Sequence, residues 1–96
     1  MPRNLVVPAV AGAWTQLTNA DVTAATVQNK SGYSVRIMAT VGATPPATAD
    51  LGHTFGPLDG LAADMTFAQL FPGVVGGNRL WVWGDIGGEA IWVSHA

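Results

Sequence analysis

The chain has no cysteine, which removes disulfides, thiolate metal sites and cysteine nucleophiles together. It is almost as short of charge: Asp, Glu, Lys and Arg make up 10% of the residues, against about 25% in an average soluble domain. The basic residues stand singly at Arg3, Lys30, Arg36 and Arg79, and the net charge is −2. With no basic stripe to meet a phosphate backbone, no nucleic-acid partner is expected. No stretch approaches the ~18 apolar residues of a membrane-spanning helix, so no membrane partner is expected either. The opening MPRNLVVPAVAGAW carries one Arg, an apolar run broken by Pro8 and the small triplet Ala11-Gly12-Ala13. It falls short of the ~15–30 residues of a secretory signal, and the expectation is a protein made without one.

Residues that carry chemistry are equally sparse. His53 and His95 are the only imidazoles, and neither sits in an HxH or HxxxH spacing. Ser94 and His95 are neighbours in one extended segment and so face opposite ways, the wrong placement for a nucleophile and its base. The glycines from Gly73 to Gly77 are not followed by the Lys-Ser/Thr of a phosphate loop. Asp59 and Asp64 bracket a helix start, where Asp64 suits a cap or first-turn position. No catalytic set assembles, so the sequence predicts no enzyme activity, no cofactor and no metal.

What is present is apolar, β-branched and punctuated. The 96 residues, 49% hydrophobic, are enough for one domain with a modest core. Residues 1–12 contain Pro2, Pro8 and Gly12 among apolar side chains, which predicts an extended N-terminal arm lying on a neighbouring subunit. A single β domain follows over 13–96. WTQLT (14–18), AATVQN (24–29) and SVRIMATV (34–41) read as short strands, the last with Val35, Ile37, Ala39 and Val41 on one face. Asn29-Lys30-Ser31-Gly32 suits a hairpin turn, and its glycosylation-like Asn-Lys-Ser pattern is read as that turn. The stretch 42–61, with three prolines and four glycines, is irregular, and 62–71 holds the one plausible helix. Together these predict an all-β fold, a small sandwich or barrel of six to eight short strands with at most one short helix.

Three of the four tryptophans, Trp81, Trp83 and Trp92, crowd the C-terminal end. Strands over 79–84 and 89–94, joined through Asp85-Ile86-Gly87-Gly88, would form a hairpin. Arg79, Trp81, Trp83 and Trp92 then share one face, and Leu80, Val82, Ile91 and Val93 the other. A hairpin apolar on both faces leaves three roles open for the tryptophans: core, subunit interface, or a platform for stacking sugars. The scarcity of charge favours a surface that is covered in an assembly, against a free monomer coated with Thr, Asn and Gln. The interface candidates are Leu5, Val6, Val7 and Val10 of the arm, with Arg79, Trp81, Trp83 and Trp92.

VQNKSGYSVRI (27–37), FPGVVGGNRLWVW (71–83) and the terminal IWVSHA (91–96) resemble a loose group of small head-associated virion proteins of tailed bacteriophages. Those chains share a VQN-SG-V hairpin, a PG…LW strand and a VSHA-like end, and the similarity covers roughly a third of this chain. The resemblance implies a structural protein of the phage head, made in the host cytoplasm. Its role would be a decoration or cement protein that binds the major capsid protein lattice as a homo-oligomer, with a trimer favoured. The base of a head spike or a tail adaptor is the nearest alternative, and a carbohydrate-binding sandwich using its surface tryptophans the more distant one. A cement protein needs only many weak contacts summed by multivalency, and an extended arm suits strand addition to a neighbour.

Overall fold

The period-two pattern builds strands as expected. In Val35–Thr40 the odd residues are buried and the even ones half-buried, the signature of a sheet with one face on a core. The computed structural model describes residues 2–48, 52–61 and 66–95, the side chain of Leu61 excepted. Its elements are β1 (Arg3–Pro8), β2 (Trp14–Gln16), β3 (Thr26–Asn29), β4 (Val35–Thr40), β5 (His53–Phe55), β6 (Gly60–Leu61), α1 (Phe67–Leu70), β7 (Arg79–Gly84) and β8 (Ala90–His95). Two four-stranded sheets result, ordered β1-β8-β3-β6 and β2-β7-β4-β5, with every strand pair antiparallel. The fold is an all-β sandwich with one short helix.

The route of the chain departs from expectation. Residues 29–32 do not turn a hairpin, because β3 lies in the first sheet and β4 in the second. Nor do β7 and β8 pair, for they too belong to different sheets. The links 9–13, 30–34, 56–59 and 85–89 all carry the chain from one sheet to the other. A link of about five residues reaches at most ~17 Å, enough to cross the ~10 Å between packed sheets. The aliphatic faces supply the reason. A hairpin would set Leu80, Val82, Ile91 and Val93 side by side on one face that still needs a cover. With the strands in opposite sheets, the same four residues cover one another across the core, and all are fully buried.

Residues 1–12 are likewise not a free arm. Residues 3–8 are extended, as expected, but form the edge strand of the domain's own sheet, paired with β8 from Arg3↔His95 to Pro8↔Ala90. Val7 and Ala9 belong to the core cluster. The apolar run therefore covers its own domain, whose strand β8 would otherwise lie open along one side.

The core joins Val7, Val27, Ile91 and Val93 of the first sheet to Val35, Ile37, Ala39, Leu80 and Val82 of the second, together with Leu17, Phe55, Phe67 and Phe71. Helix α1 contributes through Phe67, and its C-cap residue is Phe71. The helix is capped locally at its start and ends at Phe71, the residue before Pro72. Thr66 and Gln69 form a reciprocal capping box, and the Phe67 amide donates to Thr23 O at 2.8 Å. The expected cap, Asp64, lies outside the described residues; the N-cap is Thr66. Leu80 has no exposed surface, so Leu80→Ala is expected to cost about 3 kcal/mol through lost transfer energy and a residual cavity. Urea unfolding should show it as a lower midpoint with an unchanged slope.

Candidate functional site

The sheet registers decide where each tryptophan goes. On the outer face of the second sheet, Trp14 stands opposite Trp83, which stands opposite Arg36, and Gln16 opposite Trp81, which stands opposite Met38. Trp14 and Trp83 meet edge to face, with ring centroids 5.6 Å apart and planes at 65°. Trp81 is only 6% exposed despite its outward parity, and its indole N–H donates to Thr40 Oγ1 at 2.7 Å. The end of the proline-rich stretch lies against this face: a methyl group on Gly52 would come within 2.8 Å of both Trp14 Cη2 and Arg36 Cβ. Trp14 was absent from the expected set, although the alternation of its short strand places it on the same face as its neighbours.

Trp92 is elsewhere. It sits on the outer face of the first sheet, opposite Val6 on one side and Gln28 on the other. Its indole N–H donates to Asn4 Oδ1 at 2.8 Å, and Lys30 Nζ lies 5.9 Å from the ring centroid. The expected shared tryptophan face therefore does not form; Trp81 and Trp83 occupy one side of the sandwich and Trp92 the other. Neither cluster presents a flat open ring. Trp14 and Trp83 are crossed, and the Trp92 ring has an ammonium nearby.

The remaining interface candidates also separate. Leu5, Val6 and Val10 are 43%, 51% and 52% exposed. Val7 is in the core, a correction to its expected place at an interface. Arg79 pairs with Asp21, Nε to Oδ1 at 2.8 Å, with Asp21 largely exposed, and such a pair contributes little net stability. Beside it a shallow cleft is bordered by Asp21, Val22, Thr66 and Asn78.

Two buried polar side chains that sequence reasoning missed turn out to be structural. Glu89, 2% exposed, accepts from the Gly87 amide at 2.8 Å and the Ile86 amide at 3.4 Å, closing the link 85–89. Gly87 and Gly88 there adopt φ of 98° and 81°, a region open to glycine and costly for other residues. Asn29, with no exposed surface, donates to the carbonyls of Tyr33 at 2.7 Å and Gly56 at 3.1 Å, and accepts from the Ser31 amide and hydroxyl. That amide is committed inside the fold, at the start of the link between sheets that takes the place of the expected hairpin turn. Among the described residues no group of three or more His, Asp or Glu converges as metal ligands, and no helix is long and apolar enough to cross a membrane.

No family model, curated protein or solved structure matches the chain.

Proposed function

We propose that the chain is a non-catalytic structural protein of a tailed-phage head, a decoration protein that binds the major capsid protein lattice as a homo-oligomer. One observation carries the reading: strand β1 presents exposed Leu5 and Val6 along a sheet edge that no other described strand pairs, in a chain with only 10% charged residues. Such an edge in a working protein calls for a cover. The similarity of 27–37, 71–83 and 91–96 to small head proteins supplies the kind of assembly. Lattice attachment then comes from many copies with modest individual contacts, which fits a protein whose polar side chains are mostly spent internally.

Immunogold electron microscopy of the virions whose genome encodes this chain tests the proposal. Label distributed over the shell is the expected result, and label confined to a tail joint overturns the decoration role. A carbohydrate-binding role predicts instead that a glycan array lights up and that Trp83→Ala abolishes the signal. The crossed geometry of Trp14 and Trp83 leads us to expect no such signal.

A further inference from the structure

The hydrogen bonds around β1 show which of its backbone groups remain open. The Ala9 amide donates to Glu89 O at 2.9 Å, and its carbonyl accepts from the Gly88 amide at 2.7 Å. Both groups of Ala9 thus point to the side on which β8 lies. Backbone groups alternate sides along a strand, so Arg3, Leu5 and Val7 also turn theirs toward β8, whereas Asn4, Val6 and Pro8 turn theirs outward. Strand β1 ends its sheet, and no described residue bonds the outward groups of Asn4 or Val6. Pro2 and Pro8 have no N–H to offer. The open edge is a window of two donors and two acceptors, at Asn4 and Val6, flanked by two prolines that have no donor but turn their carbonyls outward as well.

We propose that this window binds the same window of a second copy of the chain, β1 against β1 and antiparallel, across a two-fold axis perpendicular to the sheet. Such an axis keeps inner face beside inner face, so only residues of equal parity can stand opposite one another. The register centred on Leu5 opposite its own copy pairs Asn4 with Val6, and Val6 with Asn4. Every open group in the window of each chain is then bonded. Pro8 falls opposite Pro2, where neither strand has a donor to waste. The next allowed register, centred on Val6, makes as many bonds but sets Asn4 opposite Pro8, leaves the Asn4 carbonyl without a donor and no longer brings Leu5 against its own copy.

The side chains fit the same register. Leu5 shares the core parity of Val7 yet is 43% exposed, because the strand has no neighbour on its outer side. In the pairing it meets its own copy at a non-hydrogen-bonded position, where side chains approach most closely. Monomeric proteins guard an edge with charge or proline, and the prolines here stand only at the two ends of the window. The one charged candidate, Arg3, reaches to the Leu17 carbonyl at 3.0 Å and leaves the window unguarded. The two sheets of the pair become one eight-stranded sheet. This pairing covers the same edge from which the virion role is argued and specifies the homo-oligomeric contact of that reading; the trimer that the phage resemblance favours would need a different contact.

Because the chain lacks cysteine, single thiols can read the register. Leu5→Cys, oxidised with glutathione disulfide, should cross-link into a covalent dimer roughly ten times faster than Val6→Cys or Val10→Cys, since only position 5 faces itself within disulfide reach. The unsubstituted chain should sediment as a dimer at about 0.5 mM, where even a weak self-contact is populated. Val6→Lys and Val6→Pro should both sediment as monomers while retaining the melting transition. Faster linking at position 6 than at position 5 overturns the register. A trimer, or a monomer at every concentration with no preference for position 5, overturns the pairing.

Discussion

Asn29→Ala is expected to cost about 3 kcal/mol of stability, lowering the melting temperature by roughly 12–24 °C in a domain of this length. The side chain touches two of the inter-sheet links at once. Its amide serves Tyr33 in the link 30–34 and Gly56 in the link 56–59, and its oxygen holds Ser31. Its backbone holds the second of these links again, donating to Asp59 O and accepting from the Leu58 amide, each at 2.8 Å. Leu58, with φ of 66°, holds a left-handed conformation that leucine rarely takes, and this bond helps to hold it there. Removing the side chain strands buried carbonyls, which costs more than a hydrogen bond contributes when made. Asn29→Asp separates bonding from packing, because it keeps the volume and the acceptor while setting a carboxylate oxygen against two carbonyls. It should melt at least as low as the alanine variant in calorimetry near neutral pH. An aspartate variant as stable as the parent would show that the hub acts through shape alone.

The same residue shows how far the sequence could be read. Alternation over 35–40, 79–84 and 90–94 sorted side chains correctly between core and outer face, because strand periodicity is a property of the strand alone; Val41, expected on the core face, lies past the end of β4 and is 57% exposed. Pairing is not. Asn-Lys-Ser-Gly at 29–32 and Asp-Ile-Gly-Gly at 85–88 satisfy the dihedral needs of a tight hairpin and of an arch between sheets equally well. The choice was made by long-range burial: facing Leu80 and Val82 toward Ile91 and Val93 covers four aliphatic side chains at once. That choice separated Trp92 from Trp81 and Trp83 and dissolved the expected tryptophan face. The hubs, Glu89 and Asn29, were hidden for a related reason. Asn29 is an ordinary polar residue until the distant link 56–59 reaches it, and Glu89 until the 85–89 link folds back on it, whereas Thr66 with Gln69 carries a capping-box spacing that the sequence does show.

Of the candidate site, the exposed members of β1 were legible from their apolarity, but the meaning of its prolines was not. In a sequence, Pro2 and Pro8 exclude a helix. In the sheet they occupy outward parity, where a missing N–H costs the fold nothing. They therefore mark both that β1 is an edge and how long its open window is. The glycine at the end of β7 is a similar case. A Cβ on Gly84 would approach Glu89 Oε1 to 2.8 Å and the Ala9 Cβ to 2.9 Å, so the close fit of link and N-terminal strand is written in a residue that reads simply as the end of a strand.

Deleting residues 2–8 is expected to abolish the cooperative melting transition of the isolated chain at 37 °C. The loss would include the six-residue pairing of β1 with β8, the Arg3 contact to Leu17 and the buried side chain of Val7. It would also uncover one side of β8, whose Ile91 and Val93 have no exposed surface in the intact fold. Burial of Val7 and the adjoining flank of the core is worth several kcal/mol at ~25 cal/mol per Å², a large share of the ~5–15 kcal/mol that holds a domain together. Point variants distinguish this from a generic effect of truncation. Val7→Asp places a charge in the core and should unfold the monomer as the deletion does, whereas Leu5→Ser, at a position 43% exposed, should lower the melting temperature by only a few degrees. Calorimetry at a concentration where the chain is monomeric makes the measurement. If the truncated chain still melts cooperatively near the temperature of the full chain, β1 is a detachable arm, and its place in the sheet is not what holds the domain together.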